Sequence, residues 1–292
     1  MHHARVPLLA LLGASTLAAC AGAPVASSPP APAPAAAPPA APAAPAPDRW
    51  TRLERPGWRL VWHDEFDGTE LDRSKWDHEQ GGLWRNGELQ FYTARPENVR
   101  VEAGHLVIEA REEDYFGNDF TSGRLRTLGK ASFTYGRIEA RLRVPPGQGL
   151  WPAFWMLGET FPTTGWPGCG ELDVMEVIGR EPARVHGTAH GASFHGAAGV
   201  HGSYTLPEGA VADAAHVYAV EWEPGEIRWY LDDVQYHRVT PAELPVAGHW
   251  PFDRPFFLIV NLAVGGTWPG DPDETTPFPA QLRVDHVRVY QR

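Results

Sequence analysis

Every tryptophan, tyrosine and phenylalanine in this 292-residue chain lies at or beyond Trp50, whereas 11 of its 29 prolines precede Asp48. The large apolar side chains from which a core is made are thus confined to the 245 residues after Pro47, enough for one sizeable domain and too few for several. A formal net charge of −11, with Lys only at Lys75 and Lys130, leaves no basic face for a nucleic-acid partner. The two cysteines are Cys20 and Cys169, so a disulfide would require those two to pair.

Residues 1–20 have a positive start at Arg5 and an apolar stretch from Val6 to Leu17, the shape of a secretory signal and too short for a permanent membrane span. The ending Leu17-Ala18-Ala19-Cys20 resembles the bacterial lipoprotein processing box, after which Cys20 becomes the first, lipidated residue. An ordinary cleaved signal with an incidental cysteine is the alternative. If Cys20 is lipidated, Cys169 is a lone thiol and the mature chain has no internal disulfide. Ala21 and Gly22 follow with no Asp, which by resemblance to lipoprotein sorting in Gram-negative bacteria points to the outer membrane. Residues 21–49 are mainly Ala, Pro, Ser and Gly, unable to bury enough surface to fold and biased to polyproline II, hence a disordered, semi-rigid linker. A proline-rich ligand for an aromatic-lined partner is the competing reading.

The folded unit, residues 50–292, reads as all-β. In Arg137-Ile138-Glu139-Ala140-Arg141-Leu142-Arg143-Val144 apolar residues alternate with charges, as a strand with one buried and one wet face requires. Ile227, Trp229 and Leu231, then Asp232-Asp233, Val234 and Tyr236, predict a hairpin. Phe256 to Val264 suits a strand buried on both sides, with Asn261 its one polar interruption. Asp213 to Trp222 also alternates and reads as a strand. Many short strands between Gly and Pro turns favour a large antiparallel sandwich or barrel.

Three acids fall within six residues in Glu171-Leu172-Asp173-Val174-Met175-Glu176, a placement tolerated in an apolar strand mainly where the carboxylates line a cleft. In a regular strand Glu171 and Asp173 share a face and Glu176 points away. A β-bulge at Val174-Met175 restores Glu176 to their side. Two glutamates aimed at one point are what retaining glycoside hydrolysis needs, and a third acid between them shares charge and protons. A solvated acidic strand with no catalytic role is the alternative.

That segment resembles the Glu-x-Asp-x-x-Glu signature of glycoside hydrolase family 16, in the form found in its bacterial laminarinase branch. So, in order, do Val61-Trp62-His63-Asp64-Glu65-Phe66, Asn86-Gly87-Glu88-Leu89-Gln90-Phe91-Tyr92-Thr93, Tyr135-Gly136-Arg137-Ile138-Glu139-Ala140-Arg141, Gly149-Leu150-Trp151-Pro152-Ala153-Phe154-Trp155-Met156-Leu157, Val185-His186-Gly187-Thr188, Asn261-Leu262-Ala263-Val264-Gly265-Gly266 and Val284-Asp285-His286-Val287-Arg288-Val289-Tyr290. The resemblance covers about residues 58–292. It implies that 50–292 is a catalytic domain with a concanavalin A-like jelly-roll β-sandwich of two antiparallel sheets, acting as an endo-β-1,3-glucanase with retention and no cofactor for catalysis. Position by position it implies Glu171 as nucleophile, Glu176 as acid/base and Asp173 as assisting acid.

A polysaccharide groove needs flat apolar faces for the C–H groups of the sugar, and tryptophan offers the largest. By resemblance Trp84, Trp151, Trp155 and Trp166 include such platforms, with core packing the alternative for each. Trp62, Trp222 and Trp229 lie in apolar strand patterns and read as packing. Asn86, Arg124 and His190 are implied as polar contacts. A zinc site at His186 and His190 is disfavoured, because the Gly-rich sequence there suggests no helix to bring two imidazoles together. A structural calcium is implied at Glu65, Gly104 and Asp285, oxygen donors of the hard type that ion prefers, with an ion-paired Asp285 the alternative. Cys169 has no base beside it in the motif and reads as packing, and Asp271-Pro272-Asp273-Glu274 reads as a solvated turn. The expected partners are a β-glucan and, through Cys20, a membrane, and a monomer is expected. Mixed-linkage or galactan hydrolysis, transglycosylation, and non-catalytic glucan binding are the competing functions.

Overall fold

Period-two burial organises the molecule. In the computed structural model, which describes residues 52–292 apart from 83, 84, 247 and 248, the chain pairs into two sheets. Cys20, the expected signal and linker, and Trp84 lie outside the described residues. The eleven-stranded sheet runs β16 (Val234–Val239), β15 (Glu226–Leu231), β14 (His216–Glu223), β9 (Gly136–Arg143), β18 (Ala280–Gln291), β6 (His105–Tyr115), β7 (Asn118–Ser122), β4 (Gln90–Tyr92) and β3 (Gly81–Gly82). Off this path, β1 (Arg59–Asp64) pairs with β18, and β5 (Val99–Glu102) with β6. The seven-stranded sheet runs β13 (Val200–Thr205), β12 (Arg184–His190), β11 (Glu171–Glu176), β10 (Leu150–Gly158), β17 (Phe256–Val264), β8 (Arg124–Arg126) and β2 (Asp77–His78). Among the described residues, strand pairing is antiparallel except β4–β7, which is parallel. Helix is confined, among the described residues, to one α-turn, α1 (Phe161–Thr164), and short 3-10 turns, and no described helix is long and apolar enough to cross a membrane.

The sandwich core lies between the sheets. From β10 it takes Leu150, Phe154 and Met156, from β11 Leu172, Val174 and Met175, and from β17 Phe256, Leu258, Val260, Leu262 and Val264. The predicted hairpin is present, with Asp232 in a left-handed turn (φ 53°), and β17 is buried at all nine positions. On the outer face of β17, Phe257 and Ile259 form a second small cluster with Leu157 and Cys169, which buries that end of the face. The alternation in β9 misleads in one respect: Arg137 and Glu139, expected on a wet face, are 1% and 2% exposed. Arg137 is paired with Glu139 (2.7 Å) and Glu221 (3.3 Å), and Arg55, from the segment before β1, reaches Glu139 at 3.4 Å.

Candidate active site

Three strands of the smaller sheet build the site by alternation. On β10 the residues between the core positions, Trp151, Ala153, Trp155 and Leu157, line a cleft of about 430 Å3, and Asn261 and Ala263 of β17 line it beside them. On β11 Glu171 and Asp173 face the cleft. Against β10, Asp173 pairs with Trp155 and Met175 with Phe154, so Val174 is an extra residue. Against β12 the register shifts at the same place, between Asp173↔Thr188 and Glu176↔His186. This is the expected bulge: Val174 and Met175 both enter the core, and Glu176 joins the other two acids in the cleft.

Each acid has a defined partner. Trp151 donates its indole N–H to Glu176 Oε1 at 3.0 Å. His190, in register opposite Glu171, places Nε2 3.2 Å from Asp173 Oδ2 and 3.6 Å from Glu171 Oε1. Burial pushes all three carboxyls above their ordinary range. The Asp173 charge adds to the rise at Glu171, where His190 opposes it, and Glu176 is held up to about 8 by burial and Asp173 against His190 and Trp151. Three buried acids so close together do not all ionise near neutrality, and they titrate as a unit that retains protons where an isolated glutamate would not. Proton sharing does not by itself rank Glu171 against Glu176.

The polar wall opposite is wired together. Trp155 Nε1 donates to Asn261 Oδ1 at 2.7 Å, Asn261 Nδ2 donates to Tyr92 Oη at 3.1 Å, and the Arg124 guanidinium lies 4.8 Å from the Trp155 ring centre while pairing with Glu79 at 2.8 Å. Trp166, 40% exposed, meets His195 and His190 edge to face. Asn86, in a left-handed conformation (φ 60°), also lines the cleft. Trp151, Trp155, Trp166, Asn86, Arg124 and the three acids therefore converge on one cleft. The sequence pattern assigns no role to Glu79 and Glu88, which also line the cleft, nor to Tyr92 and Trp268, which support Asn261 and Trp151. Trp268 meets both Trp151 and His186 and follows Asn261 in a Gly/Pro-rich loop, a sequence context that suits a groove-side tryptophan. Asn261 reads in the sequence as a polar break in an apolar run and as the start of a family-like segment, with no contact assigned to it. His186, in register opposite Glu176, packs on Trp268, and burial lowers it to about 4. Cys169 is buried and free, and burial beside Glu171 raises its thiol to about 11, which suits packing.

The calcium expectation fits poorly. Glu65 accepts from Arg288 Nε and Nη2 at 2.9 and 2.6 Å, and Asp285 accepts from Arg141 at 2.9 Å. Burial opposes it, yet His286 and Arg141 hold the Asp285 carboxyl down at about 2. Both carboxylates thus already neutralise cations of the protein itself.

Two glutamates flanking an aspartate, set among tryptophans on one sheet of a jelly-roll sandwich, define a carboxylate glycosidase of the polysaccharide-cleft type. The comparisons agree: the model of glycosyl hydrolases family 16 matches residues 86–287, and the chain belongs to that family. It is 51% identical over 249 residues to a beta-glucanase of Rhodothermus marinus, covering 81% of this chain and 86% of that one. It is 40% identical over 259 residues to glucan endo-1,3-beta-glucosidase A1 of Niallia circulans, covering 80% of this chain but 38% of that longer protein. The solved endo-beta-1,3-glucanase of Pyrococcus furiosus aligns with a TM-score of 0.77 at 48% identity, over 80% of this chain and 94% of that one.

Proposed function

We infer that this chain is an endo-acting, retaining glycoside hydrolase that cleaves β-1,3 linkages in β-glucans such as laminarin. The observation that carries this reading is the bulge that gathers Glu171, Asp173 and Glu176 on one face of a tryptophan-lined cleft. In the first step Glu171 attacks the anomeric carbon while Glu176 protonates the departing glycosidic oxygen. In the second, Glu176 takes a proton from water as that water displaces Glu171, so configuration is retained. Asp173, between them and with Oδ2 3.2 Å from His190 Nε2, takes up part of the negative charge that moves along the strand. Trp151, Trp155 and Trp166 present faces to the sugar rings, and Asn86, Arg124 and His190 its polar contacts. Non-catalytic binding is the weaker reading, because all three acids are retained.

The roles of the two glutamates are separable by rescue. Glu171→Gly with azide is expected to give an α-glycosyl azide, since azide then attacks in place of the nucleophile. Glu176→Ala is expected to give the β-azide from the intact glycosyl-enzyme. Laminarin hydrolysis by Glu171→Gln equal to that of the parent would remove the enzyme reading, and product linkage on mixed-linkage glucans and galactans decides specificity.

The N-terminal motif supports a second element of the proposal: Cys20 carries lipid, residues 21–49 space the monomeric catalytic domain from a membrane, and the envelope of a Gram-negative bacterium is its site. Catalysis as proposed needs no metal. A rise in Tm on adding calcium to EDTA-treated protein would restore the structural site at Glu65, Gly104 and Asp285.

A further inference from the structure

The bulge is held from the far side of the sandwich. A β-bulge interrupts the ladder, and a strand that relaxed to regular pairing would turn Glu176 away from the cleft. Where Val174 and Met175 stand against the single residue Gly187, an indole arrives from the other sheet. Trp229 of β15, fully buried, donates its N–H to the Asp173 carbonyl at 2.8 Å. The approach is shaped by paired residues on both sheets. Gly187 and Gly202 face each other across β12–β13, and Trp229 and His237 face each other across β15–β16, their rings 4.8 Å apart at 34°. A Cβ on Gly187 would lie 2.3 Å from Trp229 Cδ1 and 2.7 Å from Tyr236 Oη, and one on Gly202 would lie 2.3 Å from His237 Cγ. The glycine pair is thus the gap into which the Trp229–His237 pair fits.

We propose that Trp229 is a positioning residue: its N–H, keyed into the Gly187–Gly202 gap, holds the Asp173 carbonyl and with it the bulge that presents Glu176 to the substrate. Trp222 supplies a matched control, because it is equally buried and donates its N–H to the Phe252 carbonyl at 2.9 Å. The inference rests on the functional reading above.

The test replaces Trp229 by β-(3-benzothienyl)alanine, which keeps the indole shape but has no N–H, and makes the same replacement at Trp222. Laminarin hydrolysis and the carboxyl titrations, followed by 13C NMR with labelled Glu and Asp, are then measured. At Trp229, kcat is expected to fall about tenfold or more with KM changed less than twofold, because misplacement of catalytic groups is costly. The Glu176 titration is expected to shift. At Trp222, Tm falls comparably but kcat and titration stay as in the parent. His237→Leu, which removes the ring packed against the indole, should lower kcat more mildly. If the Trp229 and Trp222 replacements lower Tm alike while kcat and the titrations stay unchanged, Trp229 is packing only and the proposal fails. A parent protein without laminarin activity would refute the functional reading instead, and the titration would still decide whether Trp229 holds the bulge.

Discussion

A carboxyl that is protonated in the folded state at pH 7 makes a specific demand on stability. Glu176 is raised from 4.5 to about 8, so the folded protein keeps a proton that the unfolded chain has released between those values. Its contribution is therefore fully present below about pH 4.5 and is lost as pH rises through about 8. Glu176→Gln removes the ionisable group while keeping the shape. We expect this variant to melt a few degrees above the parent at pH 8.5, with the gap closing by pH 4.5, and with kcat reduced about 10²-fold or more. Equal melting temperatures at both pH values would mean that Glu176 is not held protonated by the fold. The same buried trio predicts a bell-shaped kcat/KM profile, and a flat profile between about pH 4 and 9 would argue against acid–base catalysis by these groups. The three acids could be read from sequence because they are neighbours, and counting along a strand, with one inserted residue, fixes their faces. Trp229 could not. Its contact with Asp173 joins positions 56 apart on different sheets, and alternation alone assigns it only to the core. Asn261 likewise reaches Trp155 across 106 residues, with Tyr92 bonded behind it, and Glu79 pairs with the Arg124 that lies over the same ring.

Strand β9 shows where pattern reading stops. Alternation correctly places Ile138, Ala140 and Leu142 in the core, but it is blind to what covers the other face. There Arg55, Glu221 and the ring of Tyr230, 5.4 Å from the Arg137 guanidinium, enclose Arg137 and Glu139. A buried ion pair is costly to break and cheap to replace as a unit, since removing one partner strands a charge whose hydration is already lost. Glu139→Leu alone is expected to cost about 3 kcal/mol, roughly 6–12 °C in Tm for a domain of this size. Arg137→Met combined with Glu139→Leu should recover most of that loss, and laminarin hydrolysis should be unaffected in either, because neither residue lines the cleft. A double variant no better than the single would show that the pair contributes more than it costs.

At the scale of the whole chain, the absence of aromatic residues before Trp50 separates a length that cannot build a core from the length that folds, and tethering is the task proposed for the first. If Cys20 is the lipid attachment point, Cys20→Ser should move the protein from the detergent phase to the aqueous phase in Triton X-114 partition while specific activity on laminarin stays the same. Parent and variant partitioning alike would remove the anchor. The folded part carries a cost of its own. Strand β17, Phe256-Phe257-Leu258-Ile259-Val260-Asn261-Leu262-Ala263-Val264, has no charge, no proline and no glycine, and is buried at every position in the native sandwich. Released by heat or denaturant, such a segment is a ready template for cross-β stacking. Thermal inactivation should therefore be irreversible and scan-rate dependent, with refolding yield falling as protein concentration rises. The strand that carries Asn261 to the cleft makes survival of the unfolded chain a question of how dilute it is.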